Sequence, residues 1–146
     1  MTAMQKTTVQ LSDPKKAGIY RFQGYAKDLV HATEIAGLQL IAVDFAKLQS
    51  KNQLLNAFAA AFTFPPHCGK NWDALNDALS DLSWSNAKGW VLTVKDAGRF
   101  AAKSPDAFAI LIEILGSAVE SWQAEGKPFW VILTGEAPPE HEAVSL

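Results

Sequence analysis

The sequence predicts an α/β fold: a small parallel β-sheet of three to four strands packed with helices. The prediction rests on three observations. First, segments rich in β-branched and aromatic residues alternate with segments of helical periodicity. Second, this alternation runs from residue 19 to residue 134. Third, no repeat or second domain interrupts it. Of the 146 residues, 49% are hydrophobic and 19% are charged. A chain of this length and composition can bury a core of its own.

The predicted domain begins with a β-α-β unit. Residues 19–22 and 38–45 are rich in β-branched and aromatic side chains, which favours strands. Residues 27–36 are compatible with a helix that ends at Gly37, because glycine readily adopts the left-handed conformation that follows many helices. We expect the strand and helix before residue 38 to be an added edge element of the sheet.

Two helices are predicted next, on either side of a turn with two prolines. Residues 52–62 carry apolar side chains at helical spacing, and Pro65 and Pro66 prevent this helix from continuing. Residues 71–82 form the second helix, with Asn71 as its N-cap.

The last part of the domain is predicted to be a strand, a long helix and a strand. Residues 89–94 and 129–133 are the strands, and residues 105–124 between them show the apolar spacing of a helix.

Both ends of the chain are expected to be flexible tails. Residues 1–18 are polar and without periodicity, while residues 135–146 carry prolines and acidic residues with no basic residue. The predicted domain is therefore 19–134.

Charge and composition exclude several classes of function. The net charge of −2 does not attract nucleic acid to the whole surface, so we expect no direct nucleic-acid binding. The single cysteine cannot form an internal disulfide or a thiolate zinc cluster, so a cytoplasmic location is expected. No window approaches the about 18 apolar residues of a membrane helix. The glycines form no phosphate-binding motif, and no cofactor or metal is expected.

The predicted helix at 71–82 carries the functional signal. At about 100° per residue, its apolar side chains fall on one face and Asp73, Asp77 and Asp81 fall on the opposite face. No lysine or arginine lies on this helix, so carboxylates four residues apart repel one another. Charge on an outward helix face often serves solubility alone. However, the macrodipole disfavours an anion in the last turn, where Asp81 lies, so stability does not explain the stripe.

Residues 64–82, FPPHCGKNWDALNDALSDL, resemble the barstar family, small bacterial inhibitors of secreted ribonucleases. The shared pattern is an aromatic-rich loop, then Gly-x-Asn, then a short helix with Asp-Ala-Leu and a following Asp. The order of elements from 38 to 133 is also similar to that of the family. The resemblance therefore covers about two-thirds of the chain.

The resemblance implies that the loop and the acidic helix block the active site of a ribonuclease, with carboxylates in place of RNA phosphates. Asp77 matches the aspartate that reaches deepest into the enzyme, and Asp73 matches the first aspartate of the helix. Gly69 and Asn71 match the entry from loop to helix. The remaining residues of the expected contact patch are His67, Asn76, Ser80 and Asp81.

The chain departs from the family pattern at His67, Cys68, Lys70 and Asn76, and three interpretations of this stay open: a target of different shape, a weaker complex, or a family member that no longer inhibits a ribonuclease. We expect a protein that is not an enzyme, is monomeric when free and binds a bacterial ribonuclease. Two alternatives stay open. One is a barstar-like module that binds a basic protein without ribonuclease activity. The other is a carboxylate-dependent hydrolase that uses Asp73 and Asp77.

Overall fold

Four parallel strands lie at the centre of the protein, and the computed structural model describes residues 3–138. In chain order the elements are α1 (Ala3–Leu11), a 3-10 turn (Pro14–Lys16), β1 (Ile19–Arg21), α2 (Ala26–Ala36), β2 (Gln39–Asp44), α3 (Lys51–Ala61), α4 (Trp72–Asp81), β3 (Trp90–Lys95), α5 (Gly98–Lys103), α6 (Pro105–Ala124) and β4 (Phe129–Thr134). The strands lie in the order β1-β4-β3-β2 and pair in parallel. The predicted α/β fold with a parallel sheet is confirmed, and the upstream strand β1 lies at an edge.

The two central strands are apolar on both faces. β4 is buried from Phe129 to Leu133, and all of β3 except its last residue is buried or half-buried. Because successive side chains of a strand point to opposite faces, we call the face that carries Leu92 and Val131 the front face and the face that carries Val91 and Trp130 the back face. Both faces must be covered to keep these side chains out of water.

The front face is covered by the helices that follow β2. The rings of Trp90 in β3 and Trp122 in α6 lie 4.6 Å apart, and Phe129 at the start of β4 lies 6.3 Å from Phe62, directly after α3. The indole Nε1 of Trp122 donates a hydrogen bond of 2.9 Å to the carbonyl oxygen of Leu79, which joins α6 to α4. These contacts place α3, α4 and α6 in one layer.

Within residues 3–138, α6 is the one helix that is long and apolar enough to cross a membrane, with a mean hydropathy of 1.2. The sequence-based expectation that no segment approaches this composition was therefore wrong. The apolar side of this helix packs in the front layer. Six of its side chains are buried there: Phe108, Leu111, Ile114, Leu115, Ala118 and Val119.

The back face is covered by the N-terminal part of the chain, so the prediction of a flexible tail over 1–18 was wrong for the residues described. Trp130 donates through Nε1 to the carbonyl oxygen of Leu11 at 2.9 Å. The amide Nε2 of Gln123 donates to the carbonyl oxygens of Pro14 and Ala17, each at 3.0 Å. The N-terminal segment is thus fixed to the domain at several points.

The sequence pattern did not predict α1 because, among the side chains described for residues 7–11, two are buried. Thr7 and Leu11, one turn apart, are each 1% exposed, whereas Val9 is 55% exposed. This is too short a pattern to stand out as helical periodicity. The α1 partner Trp130 lies more than a hundred residues away in sequence, where a local pattern carries no information about it.

At the C-terminal end, the described chain continues past residue 134. The backbone N–H of Glu136 donates to Oδ1 of Asp96 at 2.8 Å, and the N–H of Gly98 donates to the carbonyl oxygen of Glu136 at 3.1 Å. Pro138 is buried. The domain therefore includes residues 135–138, and the rest of the expected acidic tail, 139–146, lies outside the described residues.

Local signals fix the ends of the helices that position the acidic face. Ser50 caps α3 by accepting from the N–H of Gln53, and Asn71 caps α4 by accepting from the N–H of Ala74 at 2.7 Å. Gly37 ends α2 with φ of 74°, a conformation that a side chain disfavours. The predicted cap at Asn71 and the predicted end at Gly37 are both confirmed.

Replacing Leu11 tests whether the N-terminal segment belongs to the core. Because the side chain is buried, Leu11→Ala should lower the free energy of unfolding by about 2–5 kcal/mol. Urea denaturation of the full chain measures this, and Val9→Ala on the exposed side of α1 is the matched control. Equal, negligible effects of the two substitutions would contradict the packed position of α1.

Removing the cap of α4 should destabilise the free protein. Asn71→Ala leaves an N–H of the first turn without its side-chain acceptor, which costs about 1 kcal/mol in the free energy of unfolding. The exposed Asn86, which lies outside the helices, is the matched control, and Asn86→Ala should change that free energy by less than about 0.5 kcal/mol. If thermal and urea denaturation give the two variants the same stability, the capping role is wrong.

Candidate functional site

The acidic stripe lies on the outer surface of α4. Asp73, Asp77 and Asp81 are all exposed, while Leu75 and Leu79 on the opposite side are at most 2% exposed. Trp72 is half-buried against the core. The inner face therefore holds the helix on the front layer, and the three carboxylates are left in solvent.

The contact residues expected on this helix share one arc of its surface. At about 100° per residue, Asn76, Ser80, Asp73, Asp77 and Asp81 fall in that order across roughly 140°. Ser80 is exposed, and Asn76 is half-buried at the edge of the arc. Within the arc, the central carboxylate of the stripe is Asp77, because Asp73 and Asp81 flank it on both sides.

The C-terminal end of α4 carries backbone strain that burial maintains. Leu82 caps the helix with φ of 45°, a left-handed conformation that residues with a side chain rarely adopt, and its side chain is 2% exposed. The last acidic residue, Asp81, accepts a hydrogen bond of 3.1 Å from the hydroxyl of Ser83. The end of the helix is therefore fixed both by the buried leucine and by this side-chain contact.

The loop before α4 is anchored by aromatic residues. Trp84 donates through Nε1 to the carbonyl oxygen of Phe62 at 3.0 Å, and its ring meets Phe64 edge to face at 5.8 Å between centroids. Thr63 between them is left-handed, with φ of 55°. A turn follows in which the N–H of Cys68 donates to the carbonyl oxygen of Pro65 at 3.0 Å. These contacts tie both ends of the region, 62–64 and 84, to each other.

Trp84 is half-buried and its indole N–H is satisfied, so it acts as an anchor of the loop. Sequence reasoning did not find this loop anchor. The only local signal was the pair of aromatic residues at Phe62 and Phe64, which carries no information about a partner twenty residues later.

The loop presents polar residues next to the first turn of α4. His67, Gly69 and Lys70 are exposed, and Cys68 is half-buried as a free thiol. A Cβ atom at Gly69 would lie 3.5 Å from the Cβ of Ala74, which is ordinary van der Waals contact. The backbone therefore does not require glycine at this position.

The arrangement is suited to binding rather than to acid-base chemistry. A catalytic pair of carboxylates needs two different environments, one of which favours the protonated form. Asp73 and Asp77 are both exposed to solvent on one helix face. Across residues 3–138, no group of three or more His, Cys, Asp and Glu side chains is placed to hold a metal ion.

Comparison with solved structures supports the architecture. The chain is similar to the Aeropyrum pernix ORC2 protein in its ADPNP-ADP complexes, with 10% identity and a TM-score of 0.61, and to its ADP form, with 12% identity and a TM-score of 0.60. Each match covers 92% of this chain and 40% of the ORC2 chain. At this identity the similarity concerns the fold alone. Among curated proteins, none matches the chain.

Comparison with protein families matches the part of the chain that contains the site. The model described as Barstar (barnase inhibitor) matches residues 38–134, more than half of the chain. The matched range contains β2, β3, β4, the front layer of helices and the acidic face of α4. The N-terminal β1 and α2 lie outside it. The chain belongs to the barstar family.

Proposed function

We propose that this protein binds a bacterial ribonuclease and blocks its active site through the exposed face of α4 and the loop before it. The observation that carries the proposal is the row of Asp73, Asp77 and Asp81 on the solvent side of a helix without a basic residue. A ribonuclease keeps cationic side chains to bind RNA phosphates, so three anions on a rigid helix are complementary to its active site.

The same row of charges also accelerates encounter with a basic partner. Complementary potentials steer two proteins together before they touch, and like charges on one partner add up in this effect. In the free protein the repulsion between the aspartates costs stability, and the complex would remove that cost. The stability of the free protein does not explain the acidic stripe, whereas the proposed function does.

Asp77 is the residue on which binding should depend most. It is the central carboxylate of the acidic stripe, flanked by Asp73 and Asp81, so neighbouring side chains of the helix exclude water around it once a partner binds. Truncating a charged side chain that is desolvated at the centre of an interface costs more binding free energy than truncating one at the rim. Asp73 should rank second. His67, Gly69, Asn71, Asn76, Ser80 and Asp81 would complete the patch.

Lys70 adds a selective element to this surface. It is exposed in the loop directly before α4 and is the only lysine or arginine between residues 64 and 82. In the complex, the part of the partner's surface that faces α4 would be basic, and the part that faces Lys70 would need to be neutral or acidic. The loop thereby favours one ribonuclease over another, since like charges across an interface are costly.

The proposed biological setting is the cytoplasm of a bacterium, where the protein would protect RNA from the producing cell's own ribonuclease or from a delivered toxin. The motivation is the barstar family together with a chain whose single cysteine is a free thiol. We infer that the protein itself does not catalyse a reaction, in keeping with a family described as inhibitors.

Nucleotide binding, as in the ADPNP-ADP and ADP forms of the ORC2 protein, is not supported by this chain's residues. A phosphate-binding loop between strand and helix follows the pattern G-x-x-x-x-G-K-[ST]. The connection from β1 to α2 contains four residues, 22–25, and only Gly24 among them is glycine. This connection is too short to enclose a phosphate group in that way.

Truncation of Asp77 tests the proposal directly. The full chain is immobilised to capture partners from its native host, and the captured fraction is assayed for RNA cleavage with and without added protein. Asp77→Ala should weaken inhibition by at least about 30-fold, the equivalent of about 2 kcal/mol for a desolvated charge contact. Glu34→Ala, an exposed acid on α2 behind the sheet, is the matched control.

Two results of this assay would contradict the proposal. A captured basic protein without ribonuclease activity would favour the module with another partner. Equal inhibition by the Asp77→Ala and Glu34→Ala variants would remove the acidic helix from the interface. Hydrolysis of small substrates by the isolated protein would instead favour the hydrolase.

Salt should slow association with the captured ribonuclease. The Debye length shortens from about 30 Å at 0.01 M to about 3 Å at 1 M ionic strength, which screens steering by α4. Stopped-flow measurements over this range should show the association rate constant falling at least about tenfold. The variant with Asp73, Asp77 and Asp81 all changed to Asn should show a much flatter dependence. A rate constant that does not depend on salt would contradict electrostatic steering.

A further inference from the structure

A cavity of about 230 Å³ lies on the back face of the sheet, away from the acidic helix. It opens between α2 and the carboxyl ends of β2, β3 and β4. Its walls are aliphatic: Leu29 and Val30 of α2 face Leu40 and Ala42 of β2. Parallel α/β sheets bind ligands preferentially at this edge. The cavity is somewhat smaller than the about 300 Å³ at which typical ligand pockets begin, so only a small molecule fits.

One acid and one base lie together at the mouth of this cavity. Asp44 and Lys95 are partners in the register of β2 and β3, so their side chains emerge on the same face of neighbouring strands. Both are exposed. One carboxylate oxygen of Asp44 accepts the N–H of Ala46 at 2.9 Å, and a carboxylate has a second oxygen that can accept from a ligand. The hydroxyl-bearing Thr93 and Thr134 also line the cavity.

The cavity depends in part on a helix that lies outside the range matched by the family model. Ala26, Leu29 and Val30 belong to α2, whereas the match to the family covers residues 38–134. Without α2, the side chains of Leu40, Ala42 and Thr93 would lie on an open sheet surface. The inhibitor function on the front face does not require this enclosure.

We propose that this cavity binds a free α-amino acid with an aliphatic side chain. The ligand's side chain would occupy the space between Leu29, Val30 and Leu40. Its carboxylate would pair with the Lys95 ammonium, and its ammonium would pair with Asp44. The size of the cavity fits a side chain such as that of leucine or valine.

Charge complementarity distinguishes this ligand from related molecules. A simple carboxylic acid would meet the like charge of Asp44, and a simple amine would meet the like charge of Lys95. A purely apolar molecule would desolvate both charged groups without replacing their contacts with water. A zwitterion presents an opposite charge to each of the two groups, whereas the other molecules match one of them or neither.

The experiment titrates the full chain with L-leucine and follows binding by NMR chemical shifts. Three analogues each remove one feature: 4-methylpentanoate lacks the ammonium, 3-methylbutylamine lacks the carboxylate, and glycine lacks the side chain. Leucine should bind saturably, with shifts at residues around the cavity, and at least about tenfold more tightly than any analogue. Equal affinities for leucine and an analogue would overturn the proposal, as would the lack of saturable binding up to about 10 mM, far above a millimolar Kd.

Two variants test the charged mouth. Lys95→Met and Asp44→Asn should each weaken leucine binding at least about tenfold, and asparagine keeps an oxygen to accept from the N–H of Ala46. Lys103→Met, an exposed lysine on α5, is the control and should bind leucine as the unmodified chain does. Unchanged affinity in both mouth variants would overturn the assignment. Because this readout uses no ribonuclease, its failure and a failure of the proposed inhibition are separate results.

Discussion

The structure depends on covering a sheet whose two central strands are apolar on both faces. β3 and β4 place Leu92 and Val131 toward the front layer and Val91 and Trp130 toward the back layer, all of them at most 2% exposed. The helices after β2 cover the front, and α1 with α2 covers the back. This second layer lies outside residues 38–134, the range that the family model matches.

The acidic face is a consequence of how α4 packs. Because Leu75 and Leu79 are buried against the front layer, the opposite arc of the helix faces solvent and is free to vary without cost to the core. This arc carries three aspartates and no base, an arrangement that repulsion and the macrodipole at Asp81 both disfavour. The buried leucines and the cap at Asn71 compensate for it. Stability and binding therefore place different demands on the two sides of one short helix.

Sequence reasoning predicted the elements whose signals are local. The spacing of Leu75, Leu79 and Leu82 and the cap at Asn71 are sufficient to define α4, and the alternation of strands and helices is sufficient to define the parallel sheet. It did not predict α1 or α5, because among the described side chains of α1 the buried ones are Thr7 and Leu11, a single turn apart, and α5 has six residues. Nor did it predict that Trp84 anchors the loop, since its partners at Phe62 and Phe64 are set by tertiary packing. The acidic residues were found from sequence because charge spacing on a helix is a local property.

The central claim is that the acidic face of α4 occupies the place of RNA in a ribonuclease. Steady-state cleavage of RNA by the captured enzyme, measured over a range of RNA concentrations at fixed inhibitor, tests this most directly. Occupation of the RNA site predicts that the inhibitor raises the apparent KM for RNA and leaves kcat unchanged. A lowered kcat with an unchanged KM would place the inhibitor elsewhere on the enzyme and contradict the account.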